Sequence, residues 1–396
     1  MSLQGIVEFI SQSKEFQDIQ ARAARREQQL ILGLSGSQRS VLTAALANED
    51  SVTLVITYNQ NQADQIAQDL HNLLPHRRIV VFTPHELLPH EEAIIDWQLR
   101  KNRLEVLKNI REPGSIICTP VQTLAEMLIN PEDFYACQLH LDLNSRIDLD
   151  KLIVDLLRFG YERVDMVESY GQFSVRGGII DIYQFTAEHP IRIELFDDEI
   201  NSIRIFNIEN QLSIDKVEQV TIYPARERLF INCDWEQIKN QIWADAQTQS
   251  DKLLATGAEQ EADTLLARIA HHLELLEQNN YFPGIDQYLP YVSQAYSLLD
   301  YLPAQSLIVA VEPVRIKEQY KLFLEDVGEQ FAGLLAKGKI LPKMTQMFLD
   351  WAIVAPKIQR HKPLVFFSVL DKRIAEMETA SMDQIGFKTP DHFHAD

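Results

Sequence analysis

The feature that most constrains this chain is a series of short, almost continuous apolar runs separated by helical patterns. Leu30, Ile31 and Leu32 form the first, and it ends in Gly33. Residues 52–58, 78–83 and 115–120 repeat it. Between them lie stretches of helical spacing, such as 61–74 with Ala63, Ile66, Ala67, Leu70 and Leu73 on one face. Strands apolar at nearly every position are covered on both sides, as in parallel sheets. Strand alternating with helix through residue 130, including a helix over 121–128, predicts a parallel α/β layer with right-handed crossovers. Two later runs, 307–313 and 363–368, read as further strands, with helical sequence over 320–357.

Near Phe134 the pattern changes. Residues 137–143 are strand-like, 149–159 form an amphipathic helix, and alternation then takes over: Phe173 and Val175, then Ile191, Ile193 and Leu195. That is the period of half-buried antiparallel strands. Asp197, Asp198 and Glu199 make a polar turn between residues 191–196 and 200–206, which predicts a hairpin. Gly177 and Gly178 allow the backbone to bend or to approach a neighbour closely. Arg176 just before them is thereby displayed, and on composition alone it reads as a solvated charge. Residues 235–276, charged and alanine-rich, predict a paired helical arm. The expected division is 1–133, an inserted domain over 134–220, and 221–396 as the arm and a return segment completing the first domain.

A length of 396 residues is room for two or three domains. The formal net charge of −20 argues against broad, tight binding to phosphate backbones, so contact with DNA is expected to be weak or indirect. It leaves room for one local basic patch and suits a chain that docks other proteins. Arg22, Arg25 and Arg26 read as a solvated helix face. Cys118, Cys137 and Cys233 have no ligand spacing and read as reduced thiols of a cytoplasmic protein. No apolar run is long enough to span a bilayer, and residues 1–15 lack the pattern of a secretion signal. His85 and His90 are five apart with Pro89 between them, so one helix face cannot present both with Glu86 to zinc; a surface loop is expected. His392 and His394 read as solvated. No metal and no cofactor is expected.

Strand, glycine loop and helix over 29–46 are the setting of a phosphate-binding loop, in which a lysine reaches the outer phosphates and a hydroxyl holds Mg²⁺. With Gly-x4-Gly-Lys-Ser/Thr aligned on Gly33, the second glycine becomes Gln38, the lysine becomes Arg39, and only Ser40 is kept. Gln38 brings a Cβ to where backbone must approach phosphate. Arg39 is forked and bulkier than lysine. The loop reads as a relic of a nucleotide site; weak nucleotide binding through the arginine is the alternative.

Phe173, Val175, Arg176, Gly177, Gly178, Ile179, Ile180, Asp181, Ile182 and Tyr183, followed by Arg192, Ile193, Glu194, Leu195, Phe196, Asp197, Asp198, Glu199 and Ile200, closely resemble the small domain shared by bacterial transcription-repair coupling factors and UvrB. The resemblance implies a degenerate RecA-like (P-loop NTPase-type) α/β fold carrying an inserted α+β domain that docks UvrA. The family's two contact arginines match Arg163 and Arg176. Ser174 stands where UvrB-like sequences often carry another. Flanking Ile182 and Tyr183 are expected to exclude water from the contact. In UvrB-type ATPases the strand matching 307–313 ends Asp-Glu-Ser, where the aspartate orders Mg²⁺ and the glutamate polarises water. Here Val311 replaces the aspartate, Glu312 remains as a surface or capping carboxylate, and Pro313 replaces the serine.

The expected function is therefore a non-catalytic docking module that recruits UvrA to stalled RNA polymerase in nucleotide excision repair. RNA polymerase itself would be reached only through domains beyond this segment, and the ATP-dependent DNA translocase of the parent would lie there too. A UvrB-like ATPase that loads onto damaged DNA is the alternative, and an autoinhibitory use of the same domain is a third.

Overall fold

The computed structural model describes residues 3–85, 96–231, 233–277, 282–372, 374 and 381–384. The strands, in chain order, begin with β1 (Gln28–Leu32), β2 (Thr53–Thr57), β3 (Ile79–Val81) and β4 (Ile116–Pro120). A second group follows: β5 (Leu139–Asp142), β6 (Glu162–Arg163), β7 (Gln172–Arg176), β8 (Ile179–Ile182), β9 (Ile191–Phe196), β10 (Glu199–Phe206), β11 (Ser213–Val217) and β12 (Gln219–Ile222). β13 (Leu307–Val311), β14 (Leu364–Ser368) and β15 (Ser381–Gln384) come last.

The first and last groups build one parallel seven-stranded sheet in the order β15-β1-β14-β13-β2-β4-β3. β13 and β14, late in the chain, slot between β1 and β2. Alternate residues serve opposite cores: Leu30, Leu54 and Ile56 face one cluster, Ile31 and Val55 the other. Both faces are covered, which is why these strands are apolar throughout. The helix expected over 121–128 is only a 3₁₀ turn, Val121–Leu124. The Thr123 hydroxyl bonds the Pro120 carbonyl at 2.6 Å, and the N–H groups of Met127 and Leu128 donate to Met347 and Tyr296 at 2.9 Å each. Backbone that a helix would have satisfied internally is satisfied by the returning chain.

Between β4 and β13 the chain builds a separate six-stranded sheet, β11-β10-β9-β8-β7-β6, antiparallel except for the β6–β7 pair. The turn at Asp197–Asp198 joins β9 to β10 as the sequence predicts. β5 pairs antiparallel with β12, so the insert begins and ends side by side. One face of its sheet, with Phe173, Ile180, Ile182, Ile193 and Ile203, packs with Leu152 and Leu156 of the helix Leu149–Arg158 in a core continuous with that of the parallel sheet.

Helices Trp235–Ala255 and Glu259–Glu277 form the paired arm, with Ile242, Ala246, Leu265 and Ile269 in its own core. The helix after β13 starts at Pro313, earlier than expected, where a proline's missing N–H costs nothing. Residues 86–95, with His90, and the tail with His392 and His394 lie outside the described residues. Among the described residues no helix is long and apolar enough to cross a membrane.

Candidate functional site

Two places carry the residues singled out by the sequence. The first is the C-terminal edge of the parallel sheet. Gly33 leaves β1 with φ +85°, a left-handed conformation that suits glycine, and its N–H donates to Ser368 of β14 at 2.9 Å. The loop leads into the helix Gln38–Leu46. The side chains of Gln38, Arg39 and Ser40, at the positions that would engage phosphate and Mg²⁺, each already have a protein partner. The Gln38 side-chain oxygen accepts from the Ser35 N–H at 3.0 Å. Arg39 donates through Nε to the Leu34 carbonyl at 3.2 Å and through Nη2 to Glu312 Oε1 at 2.5 Å. The Ser40 hydroxyl is buried and bonds Asp69 at 2.8 Å. Val311 is fully buried in the sheet.

Glu312 is neither the solvated nor the capping carboxylate expected. It has φ +60°, gives its helix no side-chain cap, and turns instead toward Arg39 and the Val369 N–H at 3.1 Å. The side chains of Arg39 and Glu312 are each only 13 % exposed. Their pair clamps the ends of β1, β13 and β14 together where a nucleotide would sit in a working site. Removing one partner leaves the other charge stranded. Glu312→Ala is expected to lower unfolding stability by roughly 1–3 kcal/mol, read as a lower urea midpoint.

The second place is the outer face of the inserted sheet. Strand pairing aligns two rows across it. One runs Ser174, Asp181, Arg192, Arg204, Lys216; the other runs Arg176, Ile179, Glu194, Ser202. Four cations share these rows with two carboxylates, and the acidic turn Asp197–Glu199 lies beyond them at the sheet's end. Arg176 is 48 % exposed and donates one bond to Asp181 at 2.8 Å. Arg163, on edge strand β6, is exposed and has no side-chain partner among the described residues, but its register opposite Phe173 sets it off these outer rows, at the sheet's edge. Ser174 is buried, so nothing is displayed at the position where a third arginine is absent. Gly177 takes φ +61°, and a Cβ on Gly178 would lie 2.9 Å from the Leu195 carbonyl oxygen. The two glycines therefore let β7 turn tightly into β8 against β9.

Residues 139–227, the insert from β5 through β12 with a few residues beyond, match the family of the UvrB interaction domain. The insert belongs to that family. Around it, the chain is similar to transcription-repair-coupling factors and to UvrABC system protein B. It is 34 % identical to the transcription-repair-coupling factor of Bacillus subtilis (strain 168), over 99 % of this chain and 33 % of that protein. It is 28 % identical to the transcription-repair-coupling factor of Staphylococcus haemolyticus, over 84 % of this chain and 28 % of that protein. The UvrABC system protein B of Thermosipho africanus is 28 % identical over 71 % of this chain and 45 % of its own length. The chain thus spans about a third of the coupling factors it matches.

Within the UvrB interaction domain, the structure corrects two sequence expectations. Ile182 is fully buried on the core face, opposite Phe173. Tyr183 is 7 % exposed; its hydroxyl donates to the Glu188 carbonyl at 2.9 Å and its ring lies 4.2 Å from that of Tyr170. Neither can flank a docked partner. Ile182 is turned inward because β8 puts Asp181 on the outer face; Tyr183, just past the end of β8, is covered by the Tyr170 ring and tied to the Glu188 carbonyl. Tyr183 instead belongs to an aromatic ladder that continues through Tyr170 and Phe185 to Trp97 on the helix Trp97–Asn109. Lys101 lies 4.9 Å from the Tyr170 ring and Lys108 4.5 Å from that of Tyr223. One helix of the parallel layer thereby seats the domain.

The domain is also seated by charges that sequence reasoning missed. Arg103, buried in the same helix, contacts Glu126 and Glu227 at 2.8 Å each and donates to the Thr83 carbonyl at 2.6 Å. His85 contacts Glu227 at 2.5 Å and donates its backbone N–H to Glu126 at 2.8 Å. His85, Glu126 and Glu227 bring ligand atoms within 4.8 Å of one another. Both carboxylates are already engaged by Arg103, so the cluster reads as an ion-pair network.

Proposed function

We propose that this chain is a protein-docking module of a coupling factor in nucleotide excision repair, and that its UvrB interaction domain recruits UvrA to a stalled RNA polymerase. The observation that carries this reading is the outer face of the domain: a cation-rich pair of rows with Arg176 half exposed, in a chain of net charge −20. Such a face suits carboxylates on a partner, through charge-assisted hydrogen bonds. Division of the chain at 134–220, with the flanking parts forming one RecA-like layer, is part of the same proposal.

The reading also makes this segment non-catalytic. Mg²⁺-ATP needs a free cation for its outer phosphates and an oxygen ligand for the metal. Arg39 is held by Glu312, Ser40 by Asp69, and Val311 offers no ligand atom. These residues do not fit the group. Calorimetry with ATP and Mg²⁺ is expected to give no heat at micromolar nucleotide; saturable micromolar binding with turnover would restore the ATPase reading. Titration with purified UvrA tests the docking reading directly, and absence of binding to the unaltered chain would remove it.

A further inference from the structure

Resting on the docking face just proposed, we infer that Asp181 is its positioning residue, holding Arg176 so that the guanidinium presents one uncompensated edge to a single carboxylate of the partner. Asp181 is 1 % exposed although it lies on the outer face of the sheet. Its Oδ1 accepts from Arg192 Nε at 2.7 Å. Its Oδ2 accepts from Arg192 Nη2 at 2.9 Å and from Arg176 Nη2 at 2.8 Å.

The two arginines are held unequally. Arg192 grips both carboxylate oxygens, donates to Gln211 at 2.9 Å, and lies 4.4 Å over the Phe206 ring. It is locked in place. Arg176 has one anchor, the shared Oδ2, and its Nε and Nη1 bond nothing among the described residues. One buried carboxylate between two guanidiniums leaves one positive charge, and the only half-exposed guanidinium of the pair is that of Arg176. The planar fork of arginine takes a carboxylate edge-on with two parallel bonds. A guanidinium already fixed by Asp181 loses less freedom on forming them than a mobile one does. Asp181 therefore acts on the partner only through Arg176.

Two measurements test this. In nitrogen-15 spectra of the arginine side chains of the protein alone, the Arg176 guanidinium is expected to rotate slowly, and to rotate freely in Asp181→Asn. Free rotation in the unaltered protein overturns the inference whether or not UvrA binds. The second is a cycle of UvrA dissociation constants for the unaltered chain, Asp181→Asn, Arg176→Ala and the pair together, with thermal melts confirming that each is folded. Asp181→Asn is expected to weaken binding by about tenfold in the unaltered background and by under about twofold once Arg176 is gone. Equal losses in both backgrounds, with UvrA still bound by the unaltered chain, overturn the inference and leave the docking function standing.

Discussion

Arg103→Ala is expected to destabilise the chain by about 3–5 kcal/mol, the range for breaking a buried ion pair by removing one partner. The arginine's side chain is 1 % exposed and that of Glu126 is 2 % exposed, so neither charge can recover its lost partner from water. Arg103 joins the Thr83 carbonyl at the end of β3's connection, Glu126 after β4, and Glu227 where the UvrB interaction domain ends. Its loss loosens the seat of the whole domain. Urea or thermal unfolding at pH 7 checks the magnitude.

The pH dependence of that cost has a definite sign. Burial alone would raise the Glu227 carboxyl, but Arg103, then His85 and Arg228, more than offset burial and hold it well below the usual carboxylate range. A depressed folded pKa contributes stability that is complete above the unfolded value, about 4.3 for glutamate, and that is lost as pH falls toward the folded value. The unaltered protein therefore loses this contribution below about pH 4. Arg103→Ala lacks most of it from the start. The gap between the two is expected to narrow on acidification through that window, and a gap that widens there would contradict the assignment.

Arg176→Ala is expected to weaken UvrA binding by about 2–4 kcal/mol, the scale for truncating an arginine at a desolvated charge contact. The fold should tolerate the change, since Arg176 is half exposed and Asp181 keeps Arg192. The loss is expected mainly in the dissociation rate, because the lost bonds are short-range. Long-range attraction from Arg163, Arg204 and Lys216 persists, so the association rate should still fall as salt is raised. A binding assay at two salt concentrations separates these terms.

Much of this architecture is legible in the sequence because its signals are local. Runs such as 52–58 mark strands covered on both faces, and the Asp197–Glu199 turn marks the β9–β10 hairpin. The proposed loss of the nucleotide site also rests on local signals, since Gln38, Arg39 and Val311 each depart from the phosphate-loop pattern. What replaced it is not local: Arg39 and Glu312 are 273 residues apart in the chain and meet only after β13 slots beside β14. Arg103 and Glu227 are separated by 124 residues, and nothing local on the helix distinguishes Arg103 from its solvated neighbours. β8 misled for a different reason. Ile179, Ile180 and Ile182 surround one charge, so the apolar pattern does not say which face is outward. The lone Asp181 in that run was the available signal, since a carboxylate among isoleucines needs cationic partners.

The central claim is that a nucleotide-type fold has kept its docking face after its chemistry was replaced by an internal ion pair. Calorimetric titration of purified UvrA into the unaltered chain and into Arg163→Ala/Arg176→Ala tests it most directly. A saturable complex is expected with the unaltered chain, and a loss of at least about a hundredfold in affinity for the double variant. Equal binding by both, or no binding by the unaltered chain, would contradict it.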